Sequence, residues 1–124
     1  MLYFATYFDK NYLSRGLVLY DSLKKHSNEF ELYILCLDEY TKAYFQKNAS
    51  DYPEIEIVSL NEIENEDKEL SACKSNRSII EYYFTLSPCL PLYLLKKYKL
   101  SHICSLDADI MFYSDPKPLF EYLK

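Results

Sequence analysis

Short apolar segments with the composition of strands alternate with amphipathic stretches of helical length along this chain. Residues 2–7, 31–37 and 55–60 are short, apolar and rich in aromatic or branched side chains, which is typical of strands. Between them, residues 12–26 and 39–49 carry apolar side chains at spacings of three and four, which predicts helices. Because parallel neighbouring strands need a crossover, this order predicts an α/β fold, a mostly parallel sheet with helices on both faces.

The second half of the chain continues the alternation. The patterns predict helices over residues 77–86 and 88–98, a strand over 103–106, a strand-like piece over 110–112 and a last helix over 114–123. Pro88 and Pro91 suit the first turn of a new helix, and Ser114 or Asp115 can cap the last one. No repeat or linker divides the sequence, so we expect one domain over residues 1–124.

Only one glycine occurs among the 124 residues. A Walker A loop needs two glycines and a dinucleotide-binding fingerprint needs three, because the backbone must turn tightly and approach the phosphates. The count excludes both motifs. If the protein binds a nucleotide, its phosphates must be neutralised in another way, and a metal ion is the obvious candidate.

The formal net charge is -5, and much of it lies in one segment. Residues 61–69 hold five acidic side chains and one lysine. We expect a solvated loop there, with an acidic interaction site as the alternative. Because nucleic-acid binding needs a basic surface, the charge balance argues against a nucleic-acid partner.

The cysteines and the apolar runs bear on the cellular compartment. Cys36, Cys73, Cys89 and Cys104 form no C-x-x-C pair, so we expect reduced thiols instead of a zinc site or a disulfide framework. The first residues carry no basic segment before their apolar run, and no apolar run reaches the ~18 residues of a membrane span. We therefore expect a cytoplasmic protein without a signal peptide or membrane span.

The segment Asp107-Ala-Asp109 directly follows a predicted strand. Two carboxylates separated by one small residue can converge on one hard cation, and ligands usually bind at strand ends in α/β sheets. The simpler interpretation is a polar turn. Because apolar residues flank the pair on both sides, unpaired carboxylates would be costly there, which favours a divalent cation such as Mn²⁺ or Mg²⁺.

Four segments in this order resemble nucleotide-diphospho-sugar glycosyltransferases of the Rossmann-like GT-A fold, especially bacterial family 8-like enzymes. They are residues 2–12, 15–26, 76–83 and 106–116. The resemblance implies transfer of a sugar from a nucleotide-diphospho-sugar, a UDP-sugar in the first instance, to a glycan, lipid or protein acceptor. It also implies that Asp107 and Asp109 hold Mn²⁺ or Mg²⁺ against the donor diphosphate.

The same resemblance implies nucleotide-binding residues. Thr6 and Tyr7 match the loop that contacts the base and ribose, Tyr12 matches an aromatic residue that stacks on the base, and Asp107 also faces the ribose. Arg77 matches a basic position near the donor phosphates. Two alternatives stay open: Tyr12 can pack at the start of its helix, and Arg77 can be an exposed residue of a first helical turn.

Enzymes of this family continue into a half that binds the acceptor and often supplies a histidine ligand, which neither His26 nor His102 matches. We therefore expect the N-terminal, donor-binding half of such an enzyme, as a fragment or a truncated reading frame. An inactive nucleotide-sugar-binding or interaction module is an alternative. An Asp-nucleophile phosphohydrolase is more distant, since Met111 stands where that motif has Thr or Val.

Overall fold

Four parallel strands form the centre of the molecule. The computed structural model describes residues 1–27, 29–66, 72 and 78–121. The strands are β1 (Leu2–Phe8), β2 (Phe30–Cys36), β3 (Ile55–Ser59) and β4 (Cys104–Ser105). They pair in parallel in the order β3-β2-β1-β4, with Phe4 of β1 opposite Leu32 on one side and Cys104 on the other. The predicted parallel α/β architecture is confirmed.

In the described ranges, five helices connect and follow the strands. They are α1 (Leu13–His26), α2 (Glu39–Lys47), α3 (Leu60–Glu66), α4 (Ile79–Tyr98) and α5 (Lys117–Glu121), with short 3-10 turns at Lys10–Tyr12 and Ala49–Asp51. The bounds of α1 and α2 agree with the predicted ones within two residues. Asp38 caps α2, since its carboxylate accepts a hydrogen bond from the Thr41 backbone N–H.

The sheet is covered on both faces, as predicted. Successive side chains of a strand point to opposite faces, so each strand contributes to two cores. The first core joins β1 to α1 and α2 through Phe4, Phe8, Leu19, Leu23 and Phe45. The second joins the sheet to α3 and α4 through Ala5, Leu35, Ile63, Leu86, Leu90 and Leu94. Burial of each large apolar side chain contributes about 1.5–3 kcal/mol to stability.

The single glycine lies where α1 crosses β1. A Cβ added to Gly16 would lie 2.5 Å from two ring carbons of Phe8, and that ring is buried. Carbon atoms in contact are normally 3.5–4.0 Å apart. The close approach of α1 to the strand therefore depends on the missing side chain.

One continuous helix replaces the two that we predicted around Pro88 and Pro91. Both prolines lie inside α4, where neither can donate a hydrogen bond to the carbonyl four residues earlier. Apolar side chains at four-residue intervals run through this part of the helix and are buried against the sheet. Their packing outweighs the two lost bonds, which is why the prolines do not divide the helix.

The acidic segment is not simply a solvated loop, so that prediction was wrong for its first six residues. Residues 61–66 belong to α3, while residues 67–69 lie outside the described part of the chain. The Glu64 carboxylate is buried and accepts a hydrogen bond from the Tyr82 hydroxyl at 2.8 Å. Glu62 likewise accepts from Tyr93 at 2.6 Å. Two of the three acidic side chains of the helix thus attach it to α4.

The segment after β4 also differs from its prediction. Residues 110–112 were expected to be strand-like, but they form no strand. Instead, the Phe112 N–H donates to the Ser22 hydroxyl of α1 at 3.0 Å, and the Phe112 ring packs edge-on against Phe4. The α5 helix follows, and the Asp115 carboxylate caps it by accepting from the Lys117 N–H at 2.9 Å.

The remaining expectations concern the cysteines and the membrane. Cys36, Cys89 and Cys104 carry reduced thiols, and burial raises the pKa of Cys36 to about 12, whereas Cys73 lies outside the described residues. Among the helices described, none combines the length and the apolar character needed to cross a bilayer.

Candidate functional site

The strand order reverses between β1 and β4. The chain builds β1, β2 and β3 in one direction and then returns to add β4 on the other side of β1. In open α/β sheets, ligands bind beyond the carboxyl ends of the strands at such a reversal. Asp9 follows the end of β1 and Asp107 follows the end of β4. An acidic residue therefore lies beyond the carboxyl end of each of these two adjacent strands.

A cleft of about 320 Å³ opens at the reversal. A volume of this size lies at the lower end of the usual range for small-molecule sites. Three groups of residues line it: Tyr7, Phe8, Asp9 and Tyr12 from the end of β1, Leu106 to Asp109 from the end of β4, and Leu37, Tyr83 and Phe84. Of the predicted site residues, Tyr7, Tyr12, Asp107 and Asp109 therefore come together.

The two predicted metal ligands are exposed on one turn. The Ile110 N–H donates to the Asp107 carbonyl at 3.2 Å, which closes the turn, and the Leu106 N–H donates to the Ala5 carbonyl at 2.8 Å. Ala108 packs against the first core, between the two exposed aspartates. Partial burial of the small residue leaves both carboxylates on the outer side of the turn.

The turn after β1 forms the opposite wall. The Asp9 carboxylate accepts from the Asn11 N–H at 2.9 Å and so caps the 3-10 turn that presents Tyr12. Tyr12 is 46% exposed, and the guanidinium carbon of Arg15 lies 4.9 Å from the centre of its ring. One face of this ring thus lies against the Arg15 cation, which is attracted to the electron-rich face of a tyrosine ring.

Asp38 connects this turn to the neighbouring loop. Its second carboxylate oxygen accepts from the Lys10 N–H at 2.9 Å, while the first bonds to Thr41. Burial opposes ionisation, but the hydrogen bonds from Thr41 and Lys10 and the charge of Lys10 lower the pKa of Asp38 overall. Asp38 therefore remains an anion that fixes the wall of the cleft from outside it.

Tyr7 and Tyr83 are two of the three tyrosines among the described residues that line the cleft. Burial raises the pKa of Tyr7, a hydrogen bond with Ser87 opposes the shift, and the charge of Asp107 adds to it. Burial and the charges of Asp9 and Asp38 raise the pKa of Tyr83. Both phenols stay protonated at neutral pH and can donate hydrogen bonds to a ligand.

Three carboxylates and no lysine, arginine or histidine occur among the described residues of the lining. Such a surface suits a cation better than a bare anion. No group of three or more potential metal ligands occurs in the described part of the chain. The residues present fit a cation that is held by Asp107 and Asp109 and completes its shell with water and ligand oxygens, as Mg²⁺ commonly does.

Of the remaining two predicted residues, Thr6 is absent from the lining of the cleft, and nothing in the described part of the chain bears on Arg77. Thr6 is 2% exposed in β1, and its hydroxyl has no hydrogen-bond partner among the residues that the structure describes. Arg77 lies outside the described residues. Asp9, Asp38 and Tyr83 were not predicted as site residues, although Asp9 and Asp38 share a visible signal, since each directly follows or nearly follows a predicted strand.

The search of family models found no match. Two curated proteins of Bacillus subtilis (strain 168) are similar in sequence: the uncharacterized protein YfnD, 32% identical over 119 residues, and the uncharacterized protein YfnF, 31% identical over 119 residues. The aligned region covers 95% of this chain but 37% and 38% of those proteins, so the chain spans rather more than a third of their length.

Two solved structures are similar in fold. The bifunctional glycosyltransferase WbbM in its apo form gives a TM-score of 0.57 at 14% identity, over 97% of this chain and 20% of that one. The galactosyltransferase LgtC, in complex with donor and acceptor sugar analogues, gives a TM-score of 0.56 at 16% identity, over 97% of this chain and 42% of that one. Taken with the parallel sheet and its covering helices, these matches show that the chain has a Rossmann-like, glycosyltransferase-like α/β fold.

Proposed function

We propose that this chain is the donor-binding part of a metal-dependent glycosyltransferase. Its donor would be a nucleotide-diphospho-sugar, in the first instance a UDP-sugar, and its acceptor a glycan, lipid or protein. One observation carries the proposal: the Asp-Ala-Asp turn and the turn after β1 face one cleft at the strand-order reversal. The fold shared with WbbM and LgtC supports it.

In this proposal, Asp107 and Asp109 hold Mn²⁺ or Mg²⁺. A bound divalent cation would supply Lewis-acid stabilisation of the charge on the leaving diphosphate. The two carboxylates fit this role because both are exposed on one turn and no basic residue among those described competes for them in the cleft.

The tyrosines that line the cleft, Tyr7, Tyr12 and Tyr83, would bind the nucleoside. Tyr12 offers a half-exposed ring, and Tyr7 and Tyr83 offer neutral hydroxyl donors, which together suit a flat base with polar edges. Contacts of Thr6 with the base or ribose and of Arg77 with the phosphates remain predictions from the resemblance.

The proposal is tested by calorimetric titration of the purified protein with UDP in Mn²⁺ or in EDTA. We expect Asp107→Asn and Asp109→Asn each to weaken Mn²⁺-dependent UDP binding at least about 10-fold, as loss of a metal ligand should. Asp21→Asn, which changes an exposed aspartate of α1 outside the cleft lining, is the matched control and should bind as wild type. UDP affinity that is the same in EDTA and in both cleft variants would disprove the metal site.

A second measurement separates transfer from binding. The protein is incubated with Mn²⁺ and a UDP-sugar, with and without a panel of glycan, lipid and protein acceptors, and UDP release is followed. Acceptor-dependent release supports the transferase. Tight metal-dependent binding without any release favours a nucleotide-sugar-binding module, and phosphate release from phosphomonoesters favours a phosphohydrolase.

A further inference from the structure

We infer that Ser22 is a positioning residue for the acidic turn: its hydroxyl holds the chain after Asp109 on α1 and thereby fixes Asp107 and Asp109 for cation binding. The inference rests on the proposed function, since it gives Ser22 a part in the same site. Ser22 itself lines no part of the cleft.

Both hydrogen-bonding functions of Ser22 are in use. The side chain is 5% exposed; its hydroxyl donates to the Leu19 carbonyl at 2.8 Å and accepts from the Phe112 N–H at 3.0 Å. The donated bond fixes the rotamer, so the oxygen lone pair points away from its own helix. The accepted bond reaches a residue 90 positions further along the chain.

The acidic turn is consequently held at both ends. At its start, the Leu106 N–H bonds to the Ala5 carbonyl of β1, and at its far end Phe112 bonds to Ser22. Between these points, Ala108 packs on the first core. The two aspartates are thus part of a five-residue span with both ends attached to the sheet or to the helix that covers it.

The bond between Phe112 and Ser22 matters because residues 110–112 form no strand. Strand pairing therefore cannot hold this end of the turn in place of that bond. The Phe112 ring makes an additional edge-on contact with Phe4, with ring centres 5.8 Å apart. Two carboxylates of the same sign repel each other on the free turn. Without the Ser22 bond, we expect the turn to relax, so that the two carboxylates are no longer held in place for one cation.

The test compares Mn²⁺ affinity in the presence of saturating UDP, measured by the electron paramagnetic resonance signal of free Mn²⁺, for wild type, Ser22→Ala and Ser22→Thr. We expect Ser22→Ala to weaken Mn²⁺ binding about 10-fold, the lower end of what loss of an outer-shell contact costs. Ser22→Thr keeps the hydroxyl and should recover most of the loss. Ser14→Ala, an exposed serine of the same helix, should leave the affinity unchanged.

A thermal melt and UDP titration in EDTA accompany each variant. A purely structural role of Ser22 would lower the melting temperature but leave the Mn²⁺ affinity of the folded protein as in wild type, and this result would overturn the inference. Phe112→Ala removes the aromatic part of the same attachment without changing α1. It should also weaken Mn²⁺ binding, and it carries the test if Ser22→Ala does not fold.

The two proposals fail in different ways. If wild type shows no Mn²⁺-dependent UDP binding, the proposed function is wrong and the role of Ser22 with it. If wild type binds and neither Ser22→Ala nor Phe112→Ala changes the Mn²⁺ affinity, the role of Ser22 alone is wrong.

Discussion

Lys99 ends α4 in the left-handed backbone conformation, with φ 55° and ψ 43°. Among the described residues it is the one non-glycine position with a positive φ. The conformation lets the N–H groups of Lys99 and Leu100 both bond to the Leu95 carbonyl, which closes the helix end. Glycine usually occupies this position, because a side chain there costs about 1–2 kcal/mol.

We predict that Lys99→Gly raises the free energy of unfolding by about 1 kcal/mol. The substitution removes the backbone strain, although part of the gain is lost because glycine is more flexible in the unfolded chain. Urea denaturation measures the change. Lys96→Gly, the same substitution inside the helix, should lower stability by about 1 kcal/mol instead. Equal effects of the two variants would contradict the prediction.

At the scale of single residues, the sequence indicates which residues suit a site but not whether their side chains point into it. Thr6 and Tyr7 were expected to act together, but neighbours in a strand point to opposite faces. Tyr7 reaches the cleft, and Thr6 is buried among residues of the sheet. Ser22 carries no recognisable signal at all, because its partner Phe112 lies 90 residues away.

Between elements, Glu62 attaches α3 to α4. Its carboxylate accepts from the Tyr93 hydroxyl at 2.6 Å and from the Lys97 ammonium at 2.5 Å. Burial alone would raise the pKa of Glu62, but the bonds from Lys97 and Tyr93 outweigh it, so the pKa is lowered from its ordinary value of 4.5. The ionised form is therefore the one that stabilises the contact.

We predict that Glu62→Gln lowers the free energy of unfolding by about 1 kcal/mol at pH 7, the scale of one hydrogen bond and a partly exposed ion pair. Because the pKa is lowered on folding, the contribution is complete above pH 4.5 and is lost as the pH falls through the folded-state pKa. Urea denaturation of both proteins at pH 7 and pH 3 should show the difference closing at the lower pH. Glu66→Gln, at an exposed position of α3, serves as control. If the difference in unfolding free energy between wild type and Glu62→Gln persists at pH 3, the role of the charge is refuted.

Helices and strands could be predicted where the apolar periodicity and the capping residues agreed. They could not be predicted where tertiary packing outweighs the local preference of the sequence. The proline pair of α4 is a local signal for a helix start, but Ser78 and Glu81 form a capping box well before it and apolar packing continues past it. The acidic residues of α3 look like a loop because the sequence does not reveal that Glu62 and Glu64 have tyrosine partners on another helix.

On the scale of the whole molecule, the cleft joins distant parts of the sequence. Asp9, Tyr83 and Asp107 line it together, and Asp38 supports its wall. The parallel order explains this, because all four strands end at the same edge. The position of the site could thus be expected from the predicted fold, whereas its walls required knowledge of how α4 packs on the sheet.

We predict that UDP and Mn²⁺ together raise the melting temperature of the protein by several degrees. A ligand present at 100 times its dissociation constant stabilises the native state by about 2.7 kcal/mol. Differential scanning calorimetry with UDP and Mn²⁺, UDP and EDTA, and Mn²⁺ alone separates the contributions. The shift should be largest with both ligands and small with UDP in EDTA. Equal shifts with and without metal would mean that nucleotide binding does not involve the Asp-Ala-Asp turn.

Gly16 has a consequence for how the site can be altered. Phe8, whose ring fills the space beside Gly16, is also part of the cleft wall. A methyl group added to Gly16 would overlap with the Phe8 ring. It would have to displace the ring or move α1 away from the strand. A substitution at Gly16, which does not line the cleft, can therefore change the shape of the cleft wall through the packing of one ring.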